Sequence, residues 1–247
     1  DGPQQIEIKA KDEWENESSF SFHAYLPIRG WFGEEMPSGI ERAKEVGEYH
    51  WKKDGSVMVY VPEGEFWYGE SKTDMKKVYM RAYYIDKFEM TWKHYLNFCN
   101  HTGYAFPPKP RWGTNELHPI TDVCYDDILA CSQWIGKEIP TVAQWMKAAR
   151  GGIDIPDWKT PKEFVSLVRN PNPFRSYPWG DLLPNASENK DKVYRCNYCA
   201  DDSFVGQGAD GYMYTARVGE FSAWNSPYGC ADLAGNVYEI CCDHYSA

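Results

Sequence analysis

Residues 152–247 constrain the fold most, because they show almost no periodic pattern of apolar residues. They consist of turn-forming residues and isolated aromatic side chains, and loop runs of this length are usually either functional or disordered. The region is too rich in Trp and Tyr for a disordered segment, which would carry few aromatic residues. A long irregular region that is nevertheless ordered needs an internal stabiliser, and we expect bound metal to supply it.

The residues before 152 carry the predicted regular structure. Alternation of apolar and polar residues predicts three strands, and helical spacing behind N-cap residues predicts helices. The strands fall at 19–22, 57–66 and 78–85, and the helices fall at 40–49, 91–100, 126–136 and 141–150. A turn is predicted at 53–55, and the glycine pair that follows Arg150 ends the last helix.

Composition argues against two classes of protein. The net charge is −10, from 36 acidic and 26 basic residues, and no basic patch of the kind that binds nucleic acid is present. The longest apolar run, at 57–61, has the length of a strand and falls far short of the roughly 20 residues of a membrane span. We therefore predict neither nucleic-acid binding nor a membrane span. The first residue is Asp1 rather than Met, and removal of an export signal is one explanation for this start.

The eight cysteines allow more than one interpretation. An even number permits disulfides, and Cys124 and Cys131 lie in apolar runs that favour simple burial. Four of the cysteines could also supply the thiolates of a structural zinc site, although the second pair lacks the usual spacing. These four are Cys196, Cys199, Cys241 and Cys242. We favour burial or disulfides over zinc.

Four segments, found in order along the chain, carry a resemblance to a known family. They are 58–69, 84–91, 140–152 with 177–180 after an insertion, and 218–239. The most specific is Asp-Leu-Ala-Gly-Asn-Val-Tyr-Glu at 232–239. Together they resemble the formylglycine-generating-enzyme (sulfatase-modifying factor) family. The resemblance implies an α+β fold that is loop-rich, related to the C-type lectin fold and poor in regular structure.

The resemblance also predicts how the chain is organised. We expect 51–247 to be the family domain without its C-terminal part, and 1–50 to be an N-terminal extension of unknown role. Several positions depart from the family pattern: Glu138 stands where Arg is usual, Trp92 where Asn is common, and Ile240 where the family has the second Trp of Trp-Glu-Trp. These departures predict a divergent relative.

The resemblance implies two calcium sites. Calcium prefers six to eight oxygen ligands, mixing carboxylates, amide oxygens and carbonyls. The first site would use the side chains of Asn197 and Asp210 with the carbonyls of Tyr198 and Tyr212. The second would use the side chains of Asp232 and Glu239 with the carbonyls of Gly235 and Val237. In the second site one short loop could wrap the ion, so the prediction is firmer there.

The functional prediction follows from what the family needs for catalysis. Its enzymes oxidise a substrate cysteine with a copper ion held by two cysteines, and that pair follows the segment matching 235–239. We assign no catalytic residue, and we predict a non-catalytic, calcium-stabilised binding or structural module in a larger assembly, with a protein or small ligand as partner. One alternative is a copper-dependent oxidase, or an iron-dependent relative, whose catalytic segment lies beyond residue 247. Another is a display protein with a hypervariable C-terminal segment. Calcium sites fill readily outside the cytoplasm, which favours an extracytoplasmic location.

Overall fold

The computed structural model describes residues 4–11, 17–24, 29–160, 163–184, 193–198 and 210–243, the first two ranges as backbone only. Within these ranges, regular structure concentrates before residue 152. The strands are β1 Gln4–Lys11, β2 Glu17–Ala24, β3 Ile40–Arg42, β4 Glu48–Trp51, β5 Val57–Val61, β6 Gly64–Tyr68, β7 Lys76–Met80, β8 Tyr83–Asp86, β9 Asp154–Pro156 and β10 Leu167–Arg169. The helices are α1 Trp92–Thr102, α2 Tyr125–Ile135, α3 Val142–Arg150 and a 3-10 helix at Ser222–Trp224. The result is the loop-rich α+β fold that the resemblance implied.

Antiparallel pairing joins the described strands into small sheets. The largest has the order β3-β4-β5-β8, and the others pair β1 with β2, β6 with β7 and β9 with β10. In the largest sheet Ile40 lies opposite Trp51, and Val59 lies opposite Ile85. The strands β3 and β4 therefore extend the sheet of β5 into the segment that precedes residue 51.

The helix predicted at 40–49 is wrong. Its residues form the hairpin of β3 and β4, which turns through Gly47 at a φ of 85°. Tyr49 is fully buried, and its strand is bonded to β3 on one side and β5 on the other. Pairing with strands on both sides thus overrides a weak local helical pattern, because it satisfies the backbone and buries the aromatic ring at the same time.

Each of the two long predicted strands is divided into two. The strand predicted at 57–66 ends at Val61 and resumes as β6, because Pro62 has no N–H to donate to a sheet partner. The strand predicted at 78–85 is interrupted at 81–82. Before the break β7 pairs with β6, and after the break β8 pairs with β5. The strand predicted at 19–22 is confirmed within β2.

The three remaining predicted helices are confirmed, with ends shifted by one or two residues. Thr91 caps α1 by accepting a hydrogen bond from the backbone of His94. Thr141 caps α3 and forms a reciprocal capping box with Gln144. Gly136 ends α2 in the left-handed conformation. Among the described residues, no helix has the length and apolar character needed to cross a membrane.

Three apolar clusters form the core in the part of the chain that the structure describes. One lies between α1 and α2, and one lies under β3, β4 and β5. The third joins β5 and α3 to the irregular second half through Tyr228, Cys230 and Leu233, all of which are buried. The loop that begins at Asp232 therefore leaves directly from the core.

Candidate functional site

A curled loop follows the third cluster. The backbone N–H of Ala231 donates to the carbonyl of Lys87 at 2.8 Å, which fixes the start of this loop beside the end of β8. Asp232, Gly235 and Asn236 then adopt positive φ angles of 56°, 90° and 59°. Such left-handed residues are uncommon outside glycine, and three within five positions turn the chain sharply. The loop can therefore direct several of its oxygens towards one point.

The loop carries two of the predicted metal-binding carboxylates, and each has a hydrogen-bond donor. Asp232 Oδ2 accepts from the backbone N–H of Gly219 at 2.5 Å. Glu239 Oε2 accepts from Trp145 Nε1 of α3 at 2.7 Å. These bonds hold the two ends of the loop against different parts of the fold.

A third carboxylate, Glu89, lies against the same loop and was not predicted from the sequence. Its Oε2 accepts from Asn236 Nδ2 at 2.7 Å, and its Oε1 accepts from the backbone N–H of Val237 at 3.3 Å. Glu89 precedes α1 by three residues and lies 147 residues before Asn236 in the sequence. The only signal in the sequence was that Glu89 is an acidic residue at the matched strand-to-helix junction.

The three carboxylates disturb one another electrostatically. Burial raises the pKa of Glu89 to about 9, and the charges of Asp232 and Glu239 add to the increase. Burial also raises the pKa of Glu239 to about 7, with a further contribution from Asp232, and it raises the pKa of Asp232 itself. Glu239 lines the cavity described below. Solvent therefore reaches its carboxylate from that side, although protein atoms surround the group elsewhere. A cation among these groups would offset both the burial and the repulsion.

The other four predicted ligands also come together. Asp210 Oδ2 accepts from the backbone N–H of Tyr198 at 2.7 Å, and its Oδ1 accepts from that of Tyr212 at 3.0 Å. Asn197 Nδ2 donates to the carbonyl of Tyr214 at 2.6 Å and to Asn236 Oδ1 at 3.0 Å. Both bonds use the nitrogen of the amide, and Oδ1 is its acceptor atom. Residues 199–209, which connect the two halves of this group, lie outside the described residues.

The metal chemistry open to these loops is that of a hard cation. In the described ranges, no three His, Cys, Asp or Glu side chains are grouped so that they alone could hold an ion. An ion here would therefore have to combine carboxylates with carbonyl and amide oxygens, and this mixed oxygen set is the one calcium accepts.

The cysteines do not form the alternative zinc site in the part of the chain described. Cys199 lies outside the described residues, and the seven other cysteines are free thiols. Burial raises the pKa of Cys196 to about 12 and that of Cys241 to about 11, so both stay protonated at neutral pH. Burial is confirmed for Cys131, but Cys124 is exposed because it is the N-cap of α2.

A cavity of about 850 Å³ adjoins the acidic loop. Apolar side chains from α2 and from the segments around Ile120 and Leu233 line it, together with Val237 and Ile240. At its rim the rings of Trp112 and Tyr214 stack with centroids 4.5 Å apart and an interplanar angle of 11°. The volume lies within the range of small-molecule pockets, and Glu89 and Glu239 are among the polar residues of the lining.

The fold and site thus define a loop-rich α+β domain whose oxygen-rich loops border an apolar cavity. Residues 43–247 match the model of the sulfatase-modifying factor enzyme 1-like domain. Because the match covers most of the chain, this chain belongs to that family, as its four sequence segments predicted.

Individual relatives share less of the chain. The formylglycine-generating enzyme of Thermomonospora curvata is 33% identical over 130 residues, which are 53% of this chain and 35% of that protein. The uncharacterized protein YfmG of Bacillus subtilis is 29% identical over 255 residues, covering 89% of this chain and 47% of that protein. A bovine protein named inactive C-alpha-formylglycine-generating enzyme 2 is 28% identical over 143 residues, 57% of this chain and 38% of that protein. The chain thus spans between a third and a half of these relatives.

Proposed function

We propose that this chain is a calcium-stabilised domain of the formylglycine-generating-enzyme type that acts as a binding or structural module in a larger assembly. The observation that carries the proposal is the grouping of Glu89, Asp232 and Glu239 beside one curled loop. Burial raises the pKa of all three carboxyl groups, and the charge of Asp232 adds to the increase at Glu89 and Glu239. Such groups either stay protonated or gain a cation that compensates their charge, and we propose the cation.

Calcium is the cation that best suits the proposed ligands. In the loop, the side chains of Asp232 and Glu239 and the carbonyls of Gly235 and Val237 would bind one ion, and Glu89 would add a charge or hold the loop. The side chains of Asn197 and Asp210 and the carbonyls of Tyr198 and Tyr212 would bind a second. Each ion would connect segments with little apolar packing of their own. Binding to the folded state alone adds about 2.7 kcal/mol when free calcium exceeds Kd a hundredfold.

The cavity supports the binding role. It combines a mainly apolar lining with the stacked pair of Trp112 and Tyr214 and with the carboxylates of Glu89 and Glu239. A protein segment or a small apolar ligand would fit this combination. The relative named as inactive supports a non-catalytic role for this chain. An extracytoplasmic location would supply the calcium.

A second candidate function is oxidation of a substrate cysteine to formylglycine by the whole protein. The name of the relative with 33% identity favours it. Copper would then have to be held by a pair of thiolates, or iron by a different set of ligands in a related mechanism. The described thiols of Cys131, Cys196 and Cys230 are poor candidates, because burial raises the pKa of each to about 12.

Isothermal titration with calcium, together with thermal unfolding before and after chelation, tests the first function. We expect calcium binding, a lower Tm after chelation, and weaker binding in Glu239→Gln. The matched control is Glu65→Gln, which makes the same change at an exposed carboxylate that pairs with Lys77 at 3.4 Å. A protein that binds no calcium and keeps its Tm after chelation would overturn the proposal. Tight binding of Cu(I) under anaerobic conditions would favour the oxidase instead.

A further inference from the structure

The two proposed calcium loops touch each other. The backbone N–H of Asn236 donates to the carbonyl of Asn197 at 2.9 Å. A Cβ built on Gly235 would lie 2.4 Å from that carbonyl oxygen and 3.0 Å from the Cβ of Cys196. The loops therefore approach as closely as two backbones can, and a glycine is required at the contact.

The Asn236 side chain joins the loops a second time. Its Oδ1 accepts from Asn197 Nδ2 at 3.0 Å, and its Nδ2 donates to Glu89 Oε2 at 2.7 Å. One amide thus connects a proposed ligand of the first ion to the carboxylate that supports the second loop. The orientation of the Asn236 amide is fixed, because the backbone N–H of Ala216 can donate only to the amide oxygen.

The same two asparagines also hold a shared segment. Asn197 Nδ2 donates to the carbonyl of Tyr214 at 2.6 Å. Asn236 Oδ1 accepts from the N–H of Ala216 at 2.8 Å, and its Nδ2 donates to the carbonyl of Ala216 at 3.3 Å. Residues 214–216 are therefore fixed from both loops, and displacing either loop would disturb the hydrogen bonds of the other.

We propose that the two loops form one coupled unit in which Asn236 is the positioning residue. Calcium at one site orders the contact of Asn197 with Asn236, and the other site then binds its ion with a smaller ordering cost. The coupling rests on the proposed calcium binding. It adds that the two sites are positively cooperative and that the Asn236 side chain carries the cooperativity.

Calorimetric titration with calcium of the wild type and of two single-site variants measures the coupling. Asp210→Asn weakens the first site, and Glu239→Gln weakens the second. We expect the remaining site of each variant to bind calcium about tenfold more weakly than it does in the wild type, within the usual 5- to 150-fold range of coupling. Thermodynamic linkage requires the two factors to be equal. Unequal factors would show local damage in the variants and would overturn the coupling.

The Asn236→Gly variant tests whether the Asn236 side chain carries the cooperativity. Glycine adopts the φ of 59° at this position without strain, so the change keeps the loop backbone and removes only the amide. In this background the Asp210→Asn and Glu239→Gln changes should each leave the remaining site within twofold of its affinity in Asn236→Gly alone. The matched control is Asp122→Gly, the same kind of change at an exposed residue with a φ of 58°, and it should keep the cooperativity.

The outcomes separate the two proposals. If the wild type binds no calcium, the proposed function fails and the coupling fails with it. If the wild type binds two ions and each single-site variant keeps normal affinity at the remaining site, calcium binding stands and the coupling is overturned. Should Asn236→Gly not fold, the wild type and the two single-site variants still decide the question through the equality of the two factors. Cooperativity that persists in folded Asn236→Gly would overturn the role of the side chain.

Discussion

The two halves of the domain are held together by different forces. In residues 40–151 the sheet and the three helices enclose two apolar clusters built from Tyr95, Phe98 and Ile135 and from Ile40, Tyr49 and Met58. In residues 152–243 the described elements are two three-residue strands and one 3-10 helix, and much of the chain is fixed by polar side chains. The first half therefore gains stability from removing apolar area from water, and the second gains it from directed bonds.

Buried guanidinium groups illustrate the second mode. Arg175 is 9% exposed and donates to the carbonyls of Asn172 and Pro178 and to Asn170 Oδ1. Arg195 is 1% exposed, donates to the carbonyl of Val193 and lies 4.6 Å from the ring centroid of Trp224. A five-donor group satisfies many loop carbonyls from one position, so it replaces the backbone ladders that this half lacks. The strength of these hydrogen bonds depends on their geometry. We therefore expect the second half, rather than the first, to respond to a bound ion.

The largest expected effect concerns the first half alone. Phe98→Ala removes a buried ring between α1 and α2 and should lower the free energy of unfolding by about 3–5 kcal/mol. Urea unfolding with and without calcium should show the same loss in both conditions. A loss that depends on calcium would mean that the two halves are not stabilised independently.

Calcium removal should act on the second half. Chelation from a hundredfold excess over Kd should cost about 2.7 kcal/mol for each ion removed. Amide hydrogen exchange should then accelerate at 210–243 while α1 and α2 stay protected. Equal acceleration of exchange in both halves would contradict the expectation that only the second half depends on calcium.

Tyr228→Phe tests the contact between the halves. The Tyr228 hydroxyl accepts from the backbone N–H of Gly152 at 2.8 Å, where α3 gives way to the irregular region. Phenylalanine keeps the buried ring and leaves that N–H without this acceptor, so we expect a loss of about 1–3 kcal/mol in urea unfolding. The control is Tyr79→Phe, because Tyr79 is 60% exposed, and it should be close to neutral. An equally small effect at both positions would show that the hydroxyl does not join the halves.

The smallest expected effect comes from Lys147, a buried polar group in the first half of the domain. It is 1% exposed, and its Nζ donates to the carbonyl of Pro62 at 2.6 Å. Burial lowers its pKa to about 8, below the value of the unfolded chain, so the unfolded state binds more protons above pH 8. Lys147 alone should therefore add about 1.5 kcal/mol of stability between pH 8 and 9.5, while Glu89 and the buried thiols, whose pKa burial raises, act in the opposite direction.

Lys147→Met is the variant that checks this pH dependence. It removes the titrating group while keeping a chain of similar length in the buried position. In urea unfolding at several pH values, the stability of the wild type relative to the variant should then rise between pH 8 and 9.5. A difference that stays constant over this range would show that Lys147 does not titrate there.

The sequence predicted well where local chemistry decides. The helices α1 and α3 were predicted because Thr91 and Thr141 cap them, and the matched segments predicted the family. It failed where pairing between strands decides, as in the hairpin of β3 and β4. Glu89 was missed because only the fold brings it to Asn236. The calcium ligands, the boundary at residue 50, the relation to the lectin fold and the extracytoplasmic location stay predictions.

Gly235 also bears on how freely this domain can be varied. The residue is exposed, and surface positions usually tolerate substitution. Its φ of 90° and the carbonyl oxygen of Asn197, 2.4 Å from where a side chain would begin, exclude every other residue type from the same backbone. In a library that varies every position and is selected for folded protein, substitutions at Gly235 should therefore be depleted as strongly as substitutions at a core position. An engineer who grafts a new binding loop here would keep this glycine and diversify Tyr238, whose side chain is fully exposed.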